Sequence, residues 1–95
     1  MIRSFADKET ERVWNGFCSR ALPPDIQQTA RRKLRMINRA KVLADLRIPP
    51  ANHLEQLKGD RKGTYSIRIN RQWRICFGWS DGGADDVRIE DYHKG

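Results

Sequence analysis

The side chains able to move protons or hold an anion are few, and most lie in the second half of the chain. His53, Glu55 and Lys58 fall within six residues of one another, Arg68 and Arg74 sit in a run of alternating polar and apolar residues, and Asp91, Tyr92 and His93 lie near the last residue. Carboxylate, imidazole and ammonium groups exchange protons, and guanidinium groups hold phosphate. A ribonuclease without a metal needs little more. One group takes the 2′-hydroxyl proton, another protonates the leaving 5′-oxygen, and cations stabilise the charged phosphorane. A basic domain of this size also suits plain binding, and a terminal histidine is more often incidental than catalytic. The chain has no P-loop, dinucleotide fingerprint, nucleophile elbow or metal-binding helix, and its Cys and His residues lack zinc spacing.

The elements that must position these groups centre on Leu57 to Phe77. Tyr65, Ile67 and Ile69 alternate with Thr64, Ser66, Arg68 and Asn70; Trp73, Ile75, Phe77 and Trp79 then alternate with Arg74, Cys76 and Gly78. Two such runs around a polar break read as a β-hairpin. A loop of Asn70 to Gln72 pairs Ile69 with Trp73, Ile67 with Ile75 and Tyr65 with Phe77, and keeps each face uniform. It also sets Arg68 opposite Arg74, a like-charge pair that is tolerated if the side chains splay or an anion sits between them. A shift of two residues puts Ser66 opposite Arg74 instead.

Ninety-five residues form one small domain. The net charge of +7 and a pI near 10.0 point to a polyanionic partner. Residues 1–50 hold 11 Lys/Arg against 5 Asp/Glu, whereas residues 51–95 hold 8 against 7. No apolar run approaches membrane-spanning length, and the start MIRSFADKE lacks the apolar region of a signal peptide. No membrane partner is expected. Cys18 and Cys76 are expected to remain thiols in a reducing cytosol.

Met1 to Phe5 reads as an edge strand. Asp7 is a plausible N-cap for a helix through about Phe17, with Val13, Trp14 and Phe17 on one face. Pro23-Pro24 opens a second helix, where Ile26, Ala30, Leu34, Ile37 and Ala40 form an apolar stripe. Its flank carries Arg31, Arg32, Lys33, Arg35 and Arg39, read either as solvated surface or as phosphate contacts to RNA. Val42 to Leu46 adds a helical turn, and Pro49-Pro50 forces an extended segment. Asp81-Gly82-Gly83 is a turn, and Asp86 to Tyr92 alternates as a last strand. The order implies an α+β fold, with an N-terminal strand and two helices packed on one face of a mainly antiparallel sheet. Arg68, Arg74, Arg88 and Glu90 occupy the opposite, open face.

Four pieces in this order resemble a HigB-type toxin of the RelE/ParE superfamily, the "killer protein" half of bacterial toxin–antitoxin pairs. They are MIRSF, ADLRIPPANHLEQL, LKGDRKGTYSIRINRQWRICF and the EDYH of Glu90 to His93. The resemblance spans nearly the whole length and implies a single RelE/ParE-like domain over residues 1–95. It implies ribosome-dependent cleavage of mRNA in the cytoplasm with no cofactor and no metal. It also implies neutralisation by a HigA-type helix-turn-helix antitoxin, with operator DNA engaged only through that antitoxin. On this resemblance Arg74 stabilises the phosphorane, Lys58 is a basic active-site lysine, His93 is acid or base, Tyr92 stacks on or orients a base, and Asp91 orients a neighbour. Some members carry a histidine three residues before the LKGD lysine, where this chain has Glu55. The base is then Glu55, or His53 at a distance, or activity is low. Arg31, Arg32, Arg35, Arg39 and Arg68 are the expected RNA or ribosome contacts. The rivals are a relative that poisons DNA gyrase on the same fold and a non-catalytic RNA-binding module.

Overall fold

The computed structural model describes residues 1–61 and 63–92, with Asp60 described for its backbone only. Helix α1 (Lys8–Trp14) and helix α2 (Pro24–Arg39) precede a four-stranded antiparallel sheet of β1 (Glu55–Gln56), β2 (Thr64–Arg68), β3 (Trp73–Ser80) and β4 (Gly83–Asp91), in the order β1-β2-β3-β4. Short 3₁₀ turns at Leu43–Arg47, Pro50–Asn52 and Gly59–Arg61 join helix to sheet and β1 to β2.

The core forms where the helical stripe meets the apolar sheet face. Ile26, Ala30, Leu34 and Ile37 of α2 and Val13 of α1 pack with Ile67, Ile75, Phe77, Val87 and Ile89. The hairpin has the three-residue register: Ile67 pairs with Ile75, Tyr65 with Phe77 and Arg68 with Arg74. Asn70 sets the turn, its Oδ1 accepting from Gln72 N and Trp73 N, both at 2.8 Å. An Asx side chain caps its own turn in this way.

Strand β4 would otherwise expose an edge to intermolecular pairing. The N-terminal segment covers it through parallel bridges of Ile2 to Ala84 and Phe5 to Val87. Farther along, the buried Thr10 hydroxyl accepts the Ile89 amide at 3.0 Å. Arg3 clasps the β3–β4 turn, bonding Asp85 at 2.7 Å and the Ser80 carbonyl at 2.7 Å. Its guanidinium lies 2.8 Å from where a Gly83 Cβ would stand, so a side chain there would push the Arg3 clasp aside.

Four expectations need correction. Helix α1 ends at Trp14 rather than near Phe17, because Gly16 takes a positive φ of 89° and turns the chain. Phe17 is therefore 61% exposed, under the Arg12 guanidinium at 5.8 Å, and is not a core residue. The segment after Pro49-Pro50 is a 3₁₀ turn, not an extended run, and His53 follows it in the left-handed region (φ 45°). Lys33, placed on the solvated flank by its charge, is 5% exposed.

Candidate active site on the polar sheet face

Arg74 is the centre of the polar face. Strand β3 projects it away from the core beside Cys76, and it is only 7% exposed. Its Nε donates to Ser66 Oγ at 2.8 Å and its Nη2 to the Ser66 carbonyl at 3.4 Å. The same Nη2 donates to the His53 carbonyl. Nη1 pairs with the Glu55 carboxylate at 3.3 Å. The Tyr92 ring lies 5.4 Å from the guanidinium carbon, within cation–π range. Ser66 lies diagonally across the ladder from Arg74, and Arg74 leans toward it. The side chain thereby turns away from Arg68, directly opposite in the register.

Each partner has its own support. Glu55 belongs to β1, whose pairing with β2 places it opposite Ser66. Its side chain is 55% exposed, so the carboxylate reaches solvent while touching Arg74. Tyr92 is placed by the hairpin turn, since its amide donates to the Gln72 carbonyl at 2.6 Å. Gln72 Nε2 also donates to Asp91 Oδ2 at 3.0 Å. Asp91 pairs with Trp73 in the ladder. Its place in the ladder directs its side chain to the side opposite Arg74, and it supports the strand end through Gln72.

Glu90, opposite Arg74 on β4, holds two more arginines. Arg61 bonds it in two-pronged fashion at 2.8 and 3.2 Å, and Arg88 donates to the same carboxylate. Cys76 lies beneath this cluster. Burial, reinforced by Glu90, pushes its thiol up to about 12, so it stays protonated and is no nucleophile. Burial also raises the Tyr92 phenol, with Cys76 and Glu55 adding to the rise. That ring can stack and donate a hydrogen bond but is not an anion at neutral pH.

The structure thus brings Glu55, Arg74 and Tyr92 together. His53 contributes a carbonyl to Arg74, and its left-handed backbone removes the extended geometry that would have aligned it with Glu55. Lys58 is exposed, with Gln56, Leu57 and Gly59 around a shallow hollow, and is not bonded to Arg74. Arg68 is half-buried at the hairpin end. His93 lies outside the described residues. Along α2, Arg31, Arg32 and Arg35 line an open cleft of about 350 Å³ with Gln28 and Thr29, while Arg39 borders a separate hollow with Met36 and Asp45. Ser66, Arg61 and Asn52 were not among the expected site residues. The diagonal of the hairpin register was the available signal for Ser66.

A family model described as the RelE-like toxin HigB of type II toxin–antitoxin systems matches residues 3–93. The chain belongs to the HigB-like toxin family. It is 40% identical over 95 residues to Toxin HigB-1 of Vibrio cholerae, covering 99% of each chain. It is 31% identical over 93 residues to Endoribonuclease HigB of Proteus vulgaris, covering 98% of this chain and 100% of that one. Among solved structures, the fold is similar to the Staphylococcus aureus YoeB-YefM complex, with 18% identity, 98% coverage of each chain and a TM-score of 0.61. A mutant of E. coli YafQ is also similar, with 10% identity, coverage of 96% of this chain and 93% of that one, and a TM-score of 0.62. The α+β architecture is therefore that of RelE-like toxins. Among the described residues, no helix is long and apolar enough to cross a membrane.

Proposed function

We propose that this HigB-like toxin is a metal-independent endoribonuclease that cleaves mRNA on the ribosome and so stops translation. The observation that carries the reading is a buried arginine whose plane is fixed on one side while its Nη1 faces an exposed carboxylate. A guanidinium held by Ser66 and the His53 carbonyl is preorganised, so little reorganisation is needed when charge develops on a phosphorane. The Endoribonuclease HigB relative from Proteus vulgaris supports the same chemistry.

In this scheme a phosphate oxygen competes with Glu55 for Nη1. Docking frees the carboxylate, which lies beside the scissile group and takes the 2′-hydroxyl proton. Arg74 stabilises the phosphorane, and Tyr92 stacks on or orients a base. His93 is the proposed acid for the leaving 5′-oxygen. Lys58, Arg68 and the α2 arginines Arg31, Arg32, Arg35 and Arg39 provide phosphate contacts, with Asp91 holding the strand end through Gln72.

The proposed partners are the ribosome with its mRNA and a HigA-type antitoxin; the protein acts in the cytoplasm and meets operator DNA only through that antitoxin. A toxin of net charge +7 favours an acidic antitoxin surface. The test is growth after induction. Arg74→Ala is expected to abolish growth inhibition with the protein still folded and expressed, and full toxicity of that variant would overturn the assigned site.

A further inference from the structure

Lys33 is the least expected residue in the core. It lies on α2 beside Leu34 and Ala30, 5% exposed, yet carries an ammonium. Its Nζ donates to Asn52 Oδ1 at 2.7 Å. Asn52 is fully buried, and its Nδ2 donates to the carbonyls of Leu46 at 3.2 Å and Ile48 at 3.4 Å. Burial lowers the Lys33 pKa, and Arg32, Arg68 and Arg74 lower it further. An apolar side chain would pack at this position without desolvating a charge or meeting like charges. Packing alone does not account for lysine here.

The residues that follow Asn52 supply a reason. The His53 carbonyl accepts from Arg74 Nη2, and the Glu55 carboxylate meets Arg74 Nη1. Both acceptors lie within three residues of the asparagine that Lys33 holds. His53 itself is in the left-handed region (φ 45°), which a residue with a side chain keeps only where its surroundings enforce it. Helix α2 is the rigid side of this linkage, being anchored by Leu34 and Ile37 at 0% exposure.

We propose that Lys33 is a positioning residue: acting through Asn52, it fixes the His53–Glu55 segment and thereby the plane of the Arg74 guanidinium. Lys33 touches no substrate. This inference rests on the reading of Arg74 as the phosphate-binding group, so its test includes one readout that needs no RNA.

That readout is exchange of the Arg74 Nε–H proton with water, followed by NMR; the second is single-turnover cleavage of ribosome-bound mRNA with binding measured separately. The variants are Lys33→Met, and Lys33→Met combined with Asn52→Leu. Lys33→Met orphans the Asn52 Oδ1; the double variant removes that acceptor but takes the Asn52 amide from the Leu46 and Ile48 carbonyls, so thermal stability is read beside each rate. A merely structural role would make the Arg74 readouts track stability across the two variants. The expected result is that Nε–H exchange stays about tenfold faster and the cleavage rate about tenfold lower than in the unaltered protein, with RNA affinity unchanged. Rates that track stability across the two variants would overturn the inference. If the double variant does not fold, Lys33→Gln decides: its shorter amide should give the same faster exchange, and unaltered exchange would overturn the inference. Absence of cleavage by the unaltered protein, with Nε–H protection still dependent on Lys33, would fault the ribonuclease reading and leave the positioning role standing.

Discussion

At the scale of single residues, Arg74 is held through planar geometry as well as charge. Nε, Nη1 and Nη2 each meet a different acceptor, at Ser66, Glu55 and His53. An ammonium cannot serve three divergent acceptors and also present an edge to phosphate. Arg74→Lys is therefore expected to lower the cleavage rate about 100-fold while RNA affinity changes little, since removal of a preorganised charge stabiliser costs on that order. Separate kcat and KM values check this. Tyr92 tests a different property. Its phenol is held above the usual tyrosine range by burial, so it is protonated through neutral pH. Tyr92→Phe should keep the ring over Arg74 and most of the activity, whereas Tyr92→Ala should lose much of it. A rate–pH profile of Tyr92→Phe that matches the unaltered protein up to about pH 9 would confirm that the phenol is not the base.

At the scale of elements, two devices hold the frame around the site. Asp7 caps α1, its Oδ1 accepting the Thr10 amide at 2.7 Å. Thr10 in turn accepts the Ile89 amide of β4, so the cap also orients the helix against the strand that carries Glu90. Asp7→Ala should cost about 1 kcal/mol of stability, measured by denaturant unfolding. At the other end of β4, the Arg3 hydrogen bond lowers the Asp85 pKa below its ordinary 3.8. A carboxylate with a depressed folded-state pKa stabilises fully above its unfolded value and loses that contribution as pH falls through the folded value. Acid unfolding of the unaltered protein should thus include a contribution from Asp85 below about pH 4. Asp85→Asn should flatten that limb and leave the neutral-to-alkaline part of the stability–pH curve parallel.

The elements also show which parts of the fold were legible. The α2 stripe and the hairpin register followed from periodicity, because a helix and a two-sided strand each bury one repeating set of positions. Strand β1 has two residues, too few to alternate, and exists only because β2 lies beside it. Phe17 was misplaced because helical spacing continues across Gly16, where the backbone does not. Lys33 is the instructive case. Its spacing from Ala30 and Ile37 puts it on the buried stripe, but its charge argues for the flank; the Asn52 amide made burial tolerable, and no local pattern announces a partner nineteen residues away. Similarly, Glu55 near Arg74 was carried by resemblance, whereas the His53 carbonyl required a left-handed turn that sequence alone did not reveal.

At the scale of the whole molecule, charge and shape divide the labour. The helices shield one sheet face, and the other gathers Arg61, Arg68, Arg74 and Arg88 with Glu55 and Glu90 as counter-charges. A separate cationic cleft follows Arg31, Arg32 and Arg35 along α2. If that cleft holds RNA phosphates, replacing Arg32 and Arg35 with Gln should weaken RNA binding. The slope of log affinity against log salt should also fall, by about 0.7 for each single-strand phosphate no longer neutralised. The cleavage rate at saturating RNA should hold, because neither side chain is bonded to Arg74. Titrations at several salt concentrations check both statements.

The central claim is that Arg74 and its neighbours cut message on the ribosome. Primer extension on mRNA after induction measures this most directly. Cuts positioned by codon, present with the unaltered toxin and absent with Arg74→Ala, are the expected result. Intact message accompanied by DNA damage, or the same cuts from Arg74→Ala, would contradict it.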